Sequence, residues 1–380
     1  MIPNMLGAYG PWAANLAGPG PGRLSFRNGR FHDLDAWRKE ARDRLLACLL
    51  QPPTGGVPKA ELQHQFDFDG LHIEHLYWQL PFGPPTEAFF IKPAGARGRL
   101  PGVLALHDHG GNKYFGTRKI VRIDASVHAM VKRHQDEYYG GVGWANELAR
   151  RGYAVLVHDA FAFGSRRIRV ADLPKVVAKD AKEVSPEAEA EIKSYNKLAS
   201  EHEHLVAKSL LCAGTTWPGV FTAEDQRALD YLASRPDVDP DRLGCGGLSG
   251  GGLRTAYLGG IDDRIRCACC TGMMTTWRDY LLNKRYTHTW MIYVPGLPLD
   301  LDYPEIFGLR APLPALVQCD SEDELFTLGE MRRADEILAE VYRKAGATEH
   351  YRCTFYPGPH KFDRPMQDEA FAWFDRWLKT

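Results

Sequence analysis

Apolar positions recur along this chain in two alternating rhythms, and the alternation predicts its elements. Residues 33–50 set Leu34, Trp37, Ala41, Leu45, Cys48 and Leu49 on one face at helical spacing, with Asp33 or Asp35 as cap and Gln51-Pro52-Pro53 as stop. From Phe66 the period drops to two. Residues 66–70 and 71–78 alternate as hairpin strands exposed on one face, and residues 86–92 form a further strand ended by Pro93. Residues 100–106 and 153–157 are short and wholly apolar, as strands buried on both faces of a parallel sheet are. Residues 264–271, 313–319 and 351–356 read as three more strands. Helices are expected at 143–151, closed by Gly152; from Thr222-x-x-Asp225, with Phe221, Ala228, Leu229 and Leu232 on one face; at 331–344, closed by Gly346; and at 364–378. Strands alternating with helices predict the α/β class: a mostly parallel central sheet with helices on both faces and an N-terminal antiparallel hairpin.

Polar stretches interrupt this pattern at about 112–140 and 165–215, and both read as insertions. Within the second, Ser185-Pro186-Glu187 opens a long polar helix. Residues 1–30 are rich in Gly, Pro and Asn and read as an irregular arm. The expected organisation is an arm and helix over 1–60 packed on one α/β domain over 61–380.

Composition narrows the classes of function. The 380 residues carry a formal net charge of −1, so bulk electrostatics offers no case for nucleic acid or an anionic membrane. No window approaches the length of a membrane span. The start of the chain lacks a basic segment followed by an apolar run, so a cytoplasmic, reduced protein is expected. Three of the eight cysteines fall in Cys267-Ala-Cys-Cys270, which reads as a buried strand with cysteine packing as a small hydrophobe.

The candidate chemistry centres on Gly247-Leu248-Ser249-Gly250-Gly251, a G-x-S-x-G sequence. Pro240-Asp241-Arg242 reads as a turn, residues 243–246 as a buried strand end, and Leu253, Ala256, Tyr257 and Leu258 as a helix face. A serine on a sharp strand-to-helix turn has a strained backbone, and glycines two before and two after it remove the Cβ atoms that would clash. A serine hydroxyl is a poor nucleophile and needs a base, which in turn needs an orienting group. His360, between the last strand and the last helix, is the candidate base. The loop Gln318-Cys-Asp320-Ser-Glu322-Asp323-Glu324 offers the acid. Asp323 is preferred because it sits inside the loop, before Leu325-Phe326; Asp320, at the strand tip, and Glu322 are the alternatives. Nucleophile, acid and base then run Ser249, Asp323, His360. Two backbone N–H groups are expected to receive an oxyanion: that of Gly250 and that of His109, with Gly110 next, in the loop His107-Asp-His-Gly-Gly111. Asp108 is expected to hold that loop, and Asp159 to serve a turn or cap. His107-x-His109 is half of a metal-ligand pattern, but Gly110-Gly-Asn-Lys does not complete it, and neither metal nor cofactor is expected. The run Glu201-His-Glu-His204 reads as a solvated helix face. Trp217, with Pro218, is a candidate for the pocket wall, and the insertions for its roof.

Together these segments resemble the α/β-hydrolase superfamily, in the branch of dienelactone hydrolases and acetyl-xylan-esterase-like proteins. The resemblance rests on Val103-Leu-Ala-Leu-His-Asp-His-Gly-Gly111; on Arg151-Gly-Tyr-Ala-Val-Leu-Val-His-Asp159 with Phe163-Gly164; on Ser234-Arg-Pro-Asp-Val-Asp-Pro-Asp-Arg-Leu243; and on the serine, Asp323 and His360 loops. It covers the chain from Phe66 onward. It implies hydrolysis of a small-molecule or carbohydrate carboxylic ester through a serine acyl-enzyme. Dienelactone hydrolases proper use a cysteine where this chain has Ser249. Glucuronoyl esterases carry an arginine directly after the serine, where this chain has Gly250, which counts against that activity. A serine peptidase of prolyl-oligopeptidase type shares the residue order, but the segment before Phe66 is too short for its propeller. A non-catalytic binding protein on this fold would show a broken triad, and all three members are available here.

Overall fold

Among the described residues, nine strands make one sheet: β1 (Glu61–Phe68), β2 (Leu71–Trp78), β3 (Thr86–Pro93), β4 (Leu100–Ala105), β5 (Ala154–His158), β6 (Val238–Leu248), β7 (Ile265–Thr271), β8 (Ala315–Asp320) and β9 (Tyr351–Tyr356). The computed structural model describes residues 3–379 apart from 19, 180 and 182–186. The strands lie in the order β1-β2-β3-β5-β4-β6-β7-β8-β9. β1, β2, β3 and β5 pair antiparallel, and every pairing from β5 to β9 is parallel. The helices are α1 (Gly10–Ala17), α2 (Leu34–Leu49), α3 (Ala129–Tyr138), α4 (Trp144–Arg150), α5 (Lys175–Ala178), α6 (Glu189–Cys212), α7 (Trp217–Ser234), α8 (Gly250–Ile261), α9 (Trp277–Leu282), α10 (Tyr303–Gly308), α11 (Leu328–Lys344) and α12 (Arg364–Leu378). None of the described helices is long and apolar enough to cross a membrane.

The apolar runs are continuous because both faces of the parallel strands are covered. In β4, Val103 and Ala105 join the layer of Trp144, Phe371 and Phe374, on α4 and α12; Leu104 joins the layer of Leu229, Leu253 and Leu338, on α7, α8 and α11. Cys267 and Cys269 of β7 face the first layer and Cys270 the second, and all three are buried thiols. Trp37, on α2, stacks on Phe26 at 4.6 Å and donates its indole N–H to the Leu24 carbonyl.

Several expectations are corrected. Residues 1–30 are not wholly irregular, since they contain α1; residues 1, 2 and 19 lie outside the described set. β1 begins at Glu61, ahead of the expected Phe66, because its first residues are exposed and backbone pairing alone makes them a strand. Residues 240–242 are not a turn before a strand but a bulge within β6: Pro101 pairs with Asp239, and Gly102 pairs next with Leu243. Helix α7 begins at Trp217, with the Thr216 hydroxyl accepting the Gly219 N–H, so the expected start at Thr222 lies inside it. The expected helix start at Ser185-Pro186 falls outside the described residues, and α6 begins at Glu189. Residues 272–312, where the pattern predicted nothing, hold α9, α10 and three short 3-10 turns.

Candidate active site

Ser249 sits between β6 and α8 at φ 57°, ψ −116°, in the left-handed region that a side chain occupies only under strain. Its neighbours are glycines because the ends of β4 and β7 crowd the turn. A Cβ on Gly247 or Gly251 would lie 2.2 or 2.1 Å from the Leu106 carbonyl oxygen, and one on Gly252 would lie 2.6 Å from that of Thr271. Thr271 O also accepts the Ser249 N–H at 2.9 Å, which ties the turn to the end of β7.

Gly250 opens α8, so its N–H has no partner within the helix. A Cβ added there would lie 2.9 Å from the backbone nitrogen of His109, so the loop after β4 presses against this position. The backbone nitrogen of His109 therefore lies close to Gly250. Gly110 follows at φ 50°, where a Cβ would strike Asp108 Oδ2 at 2.3 Å.

That loop is held from beneath by buried charge. Lys119 Nζ donates to the carbonyls of Asp108, His109 (3.2 Å) and Asn112 (3.3 Å), and burial lowers its pKa to about 8. Asp108 accepts from the Tyr139 hydroxyl at 2.5 Å and lies 3.1 Å from His134 Nε2. Its burial opposes ionisation, but His134 and Lys119 hold its carboxyl well below the usual range. The expectation that Asp108 shapes the loop agrees with these contacts. Asp159 likewise serves a turn, accepting from the Thr117 and Ser165 N–H groups at 2.7 and 2.6 Å.

The imidazoles of the loop are fully committed. His107 Nε2 accepts from the Ala160 N–H and Nδ1 donates to the Asp108 carbonyl. His109 Nδ1 accepts from the Gly111 N–H, so Nε2 carries the proton and donates to Glu203 Oε1 at 2.7 Å. Glu203 corrects the reading of residues 201–204 as a solvated face: it is buried. It also pairs with Lys113 Nζ at 2.8 Å and accepts the Trp290 N–H at 3.2 Å. Burial works against its charge, but His109 and Lys113 together hold its carboxyl far below the usual range.

His360 follows β9, and its Nδ1 donates to Asp323 Oδ2 at 2.6 Å. Asp323 Oδ1 accepts the Leu325 N–H at 2.9 Å. With Nδ1 protonated, His360 Nε2 is an acceptor, and it is buried with no partner. The ring rests on Gly272, immediately after the Thr271 that binds the Ser249 N–H: a Cβ on Gly272 would lie 2.8 Å from His360 Cε1. Asp320 instead accepts the Lys361 N–H at 3.1 Å, and burial, with Asp323 adding, raises its carboxyl to about 7. Glu322 contributes its backbone N–H to the Gly358 carbonyl. Among the described residues, Asp320, Asp323 and His360 form the one cluster with metal-ligand spacing, and His360 Nδ1 is already occupied there by Asp323.

Trp217 is 2% exposed and packs on Phe161 and on the Lys113 ammonium, so it meets the loop through Lys113 and Glu203. A recess of about 310 Å³ opens beside the loop, lined by Gly110, Gly111, Arg133, Glu137, Tyr138 and Lys193 among others. Both insertions contribute to it, and the Tyr138 ring lies 6.3 Å from that of His360. Gly272, Glu203, Lys113 and Lys119 were not found from sequence. Lys113 carried a weak signal, as a lysine just after a glycine-rich loop.

No family model matches the chain. A Bacillus subtilis protein described as a hydrolase, YtaP, is 28% identical over 344 residues, which span 90% of this chain and all of that protein. A Bacteroides fragilis protein described as an acetyl xylan esterase superposes with a TM-score of 0.67 at 17% identity, covering 92% of this chain and 82% of its own. A glucuronoyl esterase from Solibacter usitatus superposes at 0.62 with 15% identity, covering 93% and 97%. The chain has the α/β-hydrolase fold, and its structural neighbours in that fold include acetyl xylan and glucuronoyl esterases.

Proposed function

We propose that this protein is a serine carboxylic-ester hydrolase. Ser249 Oγ attacks the ester carbonyl carbon while His360 Nε2 takes its proton, with Asp323 holding the imidazole and stabilising the imidazolium. The N–H groups of Gly250 and His109 receive the negative charge of the tetrahedral intermediate. His360 returns its proton to the departing alcohol. Water then attacks the acyl-enzyme, His360 takes its proton, and the acid leaves with Ser249 restored.

The observation that carries this reading is the His360 ring, protonated towards Asp323 and presenting a free Nε2, seated on the residue after the strand that binds the Ser249 N–H. The esterase neighbours support the same class. The polar recess beside the loop supports a hydroxylated alcohol, as in an acetylated carbohydrate. The closeness of His109 N to Gly250 favours an acetyl-esterase-like enzyme over a glucuronoyl esterase, because no side chain fits at 250 with the loop in this position.

Replacing Ser249 by alanine tests the proposal. Hydrolysis of p-nitrophenyl acetate is expected to fall by about 10⁴-fold with thermal unfolding unchanged, and labelling by a fluorophosphonate to disappear. Undiminished hydrolysis would sink it.

A further inference from the structure

Away from these residues, a cavity of about 790 Å³ lies between the N-terminal arm and residues 277–302. One wall is Leu6, Ala13, Leu16 and Ala17; the other includes Trp277, Tyr280, Leu281, Tyr293 and Val294. Ser249, His109, Asp323 and His360 do not line it. Its volume is within the roughly 300–1,000 Å³ of pockets that enclose small organic ligands.

The polar groups of this cavity are one-sided. Arg278, Arg285 and Arg333 border it, and none has a carboxylate within ion-pair distance among the described residues. Arg285 lies over the Tyr293 ring at 3.7 Å and the Trp290 ring at 5.4 Å. The one acid in the wall, Asp302, has its Oδ1 occupied by the Trp277 and Tyr303 N–H groups at 2.9 and 2.8 Å. Apolar walls thus carry three guanidinium groups, and the one carboxylate among them has an oxygen engaged by backbone N–H groups. A ligand that satisfies both walls and guanidinium groups needs an apolar body and a single anionic, acceptor-rich head.

We propose that the cavity binds an amphipathic carboxylate, its aliphatic or aryl body between α1 and Trp277–Tyr280 and its carboxylate among Arg278, Arg285 and Arg333. This site is independent of the hydrolytic reading, and its test uses no turnover. Calorimetric titration with decanoate is expected to show one saturable site per chain. Neutral decan-1-ol is expected to bind about tenfold more weakly, the value of one charge-assisted hydrogen bond. The triple substitution Arg278→Gln, Arg285→Gln and Arg333→Gln lowers decanoate affinity to the level of the alcohol, and Ala14→Trp, which fills the cavity from α1, removes binding. No saturable binding to the unaltered chain, or equal affinity for acid and alcohol, overturns the proposal. Decanoate affinity unchanged by both substitutions overturns it as well.

Discussion

Gly272 shows how far one missing methyl group can decide chemistry. At φ +60° a side chain is strained in its own backbone, and the Cβ would also press on His360 Cε1. Gly272→Ala is expected to lower kcat on p-nitrophenyl acetate by about tenfold or more, since reacting groups misplaced by a fraction of an ångström lose alignment. An unchanged kcat would mean that the imidazole is not held there. Asp320 makes a second test, through pH. Its folded pKa of about 7 stands above the roughly 3.9 of an unfolded aspartate. Between these values the native state keeps a proton that the unfolded chain releases. Stability from this group is therefore full below about pH 4 and is lost as pH rises through about 7. Asp320→Asn keeps the neutral form at every pH, so its Tm should lack that decline and exceed the parent's above about pH 7. Parallel Tm profiles across that range would refute the assignment. The proposed roles of Ser249, Asp323 and His360 could be argued from sequence because turn chemistry and chain order are written locally. Gly272 and Glu203 were not, because their roles depend on what the fold brings opposite them.

At the scale of elements, the loop after β4 is held in place by the insertions. Lys113 and Lys119 come from the first, Glu203 on α6 from the second, and the Trp290 N–H from the segment between α9 and α10. One buried carboxylate joins all three to His109. Glu203→Gln keeps the shape but leaves Lys113 buried without a counter-charge, which costs about 3–5 kcal/mol when a buried pair is broken. It also loosens the loop that carries the His109 N–H. A drop in the denaturation midpoint together with about a tenfold fall in kcat, and a smaller change in KM, is expected on p-nitrophenyl acetate. A loss of stability with kcat intact would reduce Glu203 to a structural ion pair. The insertions were visible as breaks in periodicity, but Glu203 was hidden among exposed neighbours: only one side of α6 meets the loop. Residues 272–312 gave no signal because their short helices are set by caps and tertiary packing. Asp302, for instance, forms a capping box with Glu305 on a six-residue helix.

Across the whole molecule, the parallel half of the sheet was the most legible part. Strands buried on both faces must be apolar throughout, and their carboxyl ends gather the loops that follow β4, β6, β8 and β9 at one edge. The arm was the least legible, and the structure divides it in two. Residues 3–18, tied to the body by a backbone bond from Met5 N–H to Leu282 O at 3.2 Å, lie over the cavity. Residues 22–28 are built into the body. Arg23 pairs with Asp300 at 2.7 Å, Ser25 and Arg27 reach Glu305, and the Lys344 ammonium donates to Phe26 and Asn28 carbonyls. Asp300 keeps Arg44 if the arm is removed, but Glu305 is wholly buried and, among the described residues, pairs only with Arg27. A chain begun at residue 22 is therefore expected to melt cooperatively and to keep its hydrolytic activity. A chain begun at residue 32 loses the Phe26–Trp37 stack and strands Glu305. That costs several kcal/mol out of a total stability of about 5–15 kcal/mol. Its denaturation midpoint should collapse, and activity with it. Equal loss in the two truncations would instead place residues 3–21 in the structural core and make the cavity wall part of the fold.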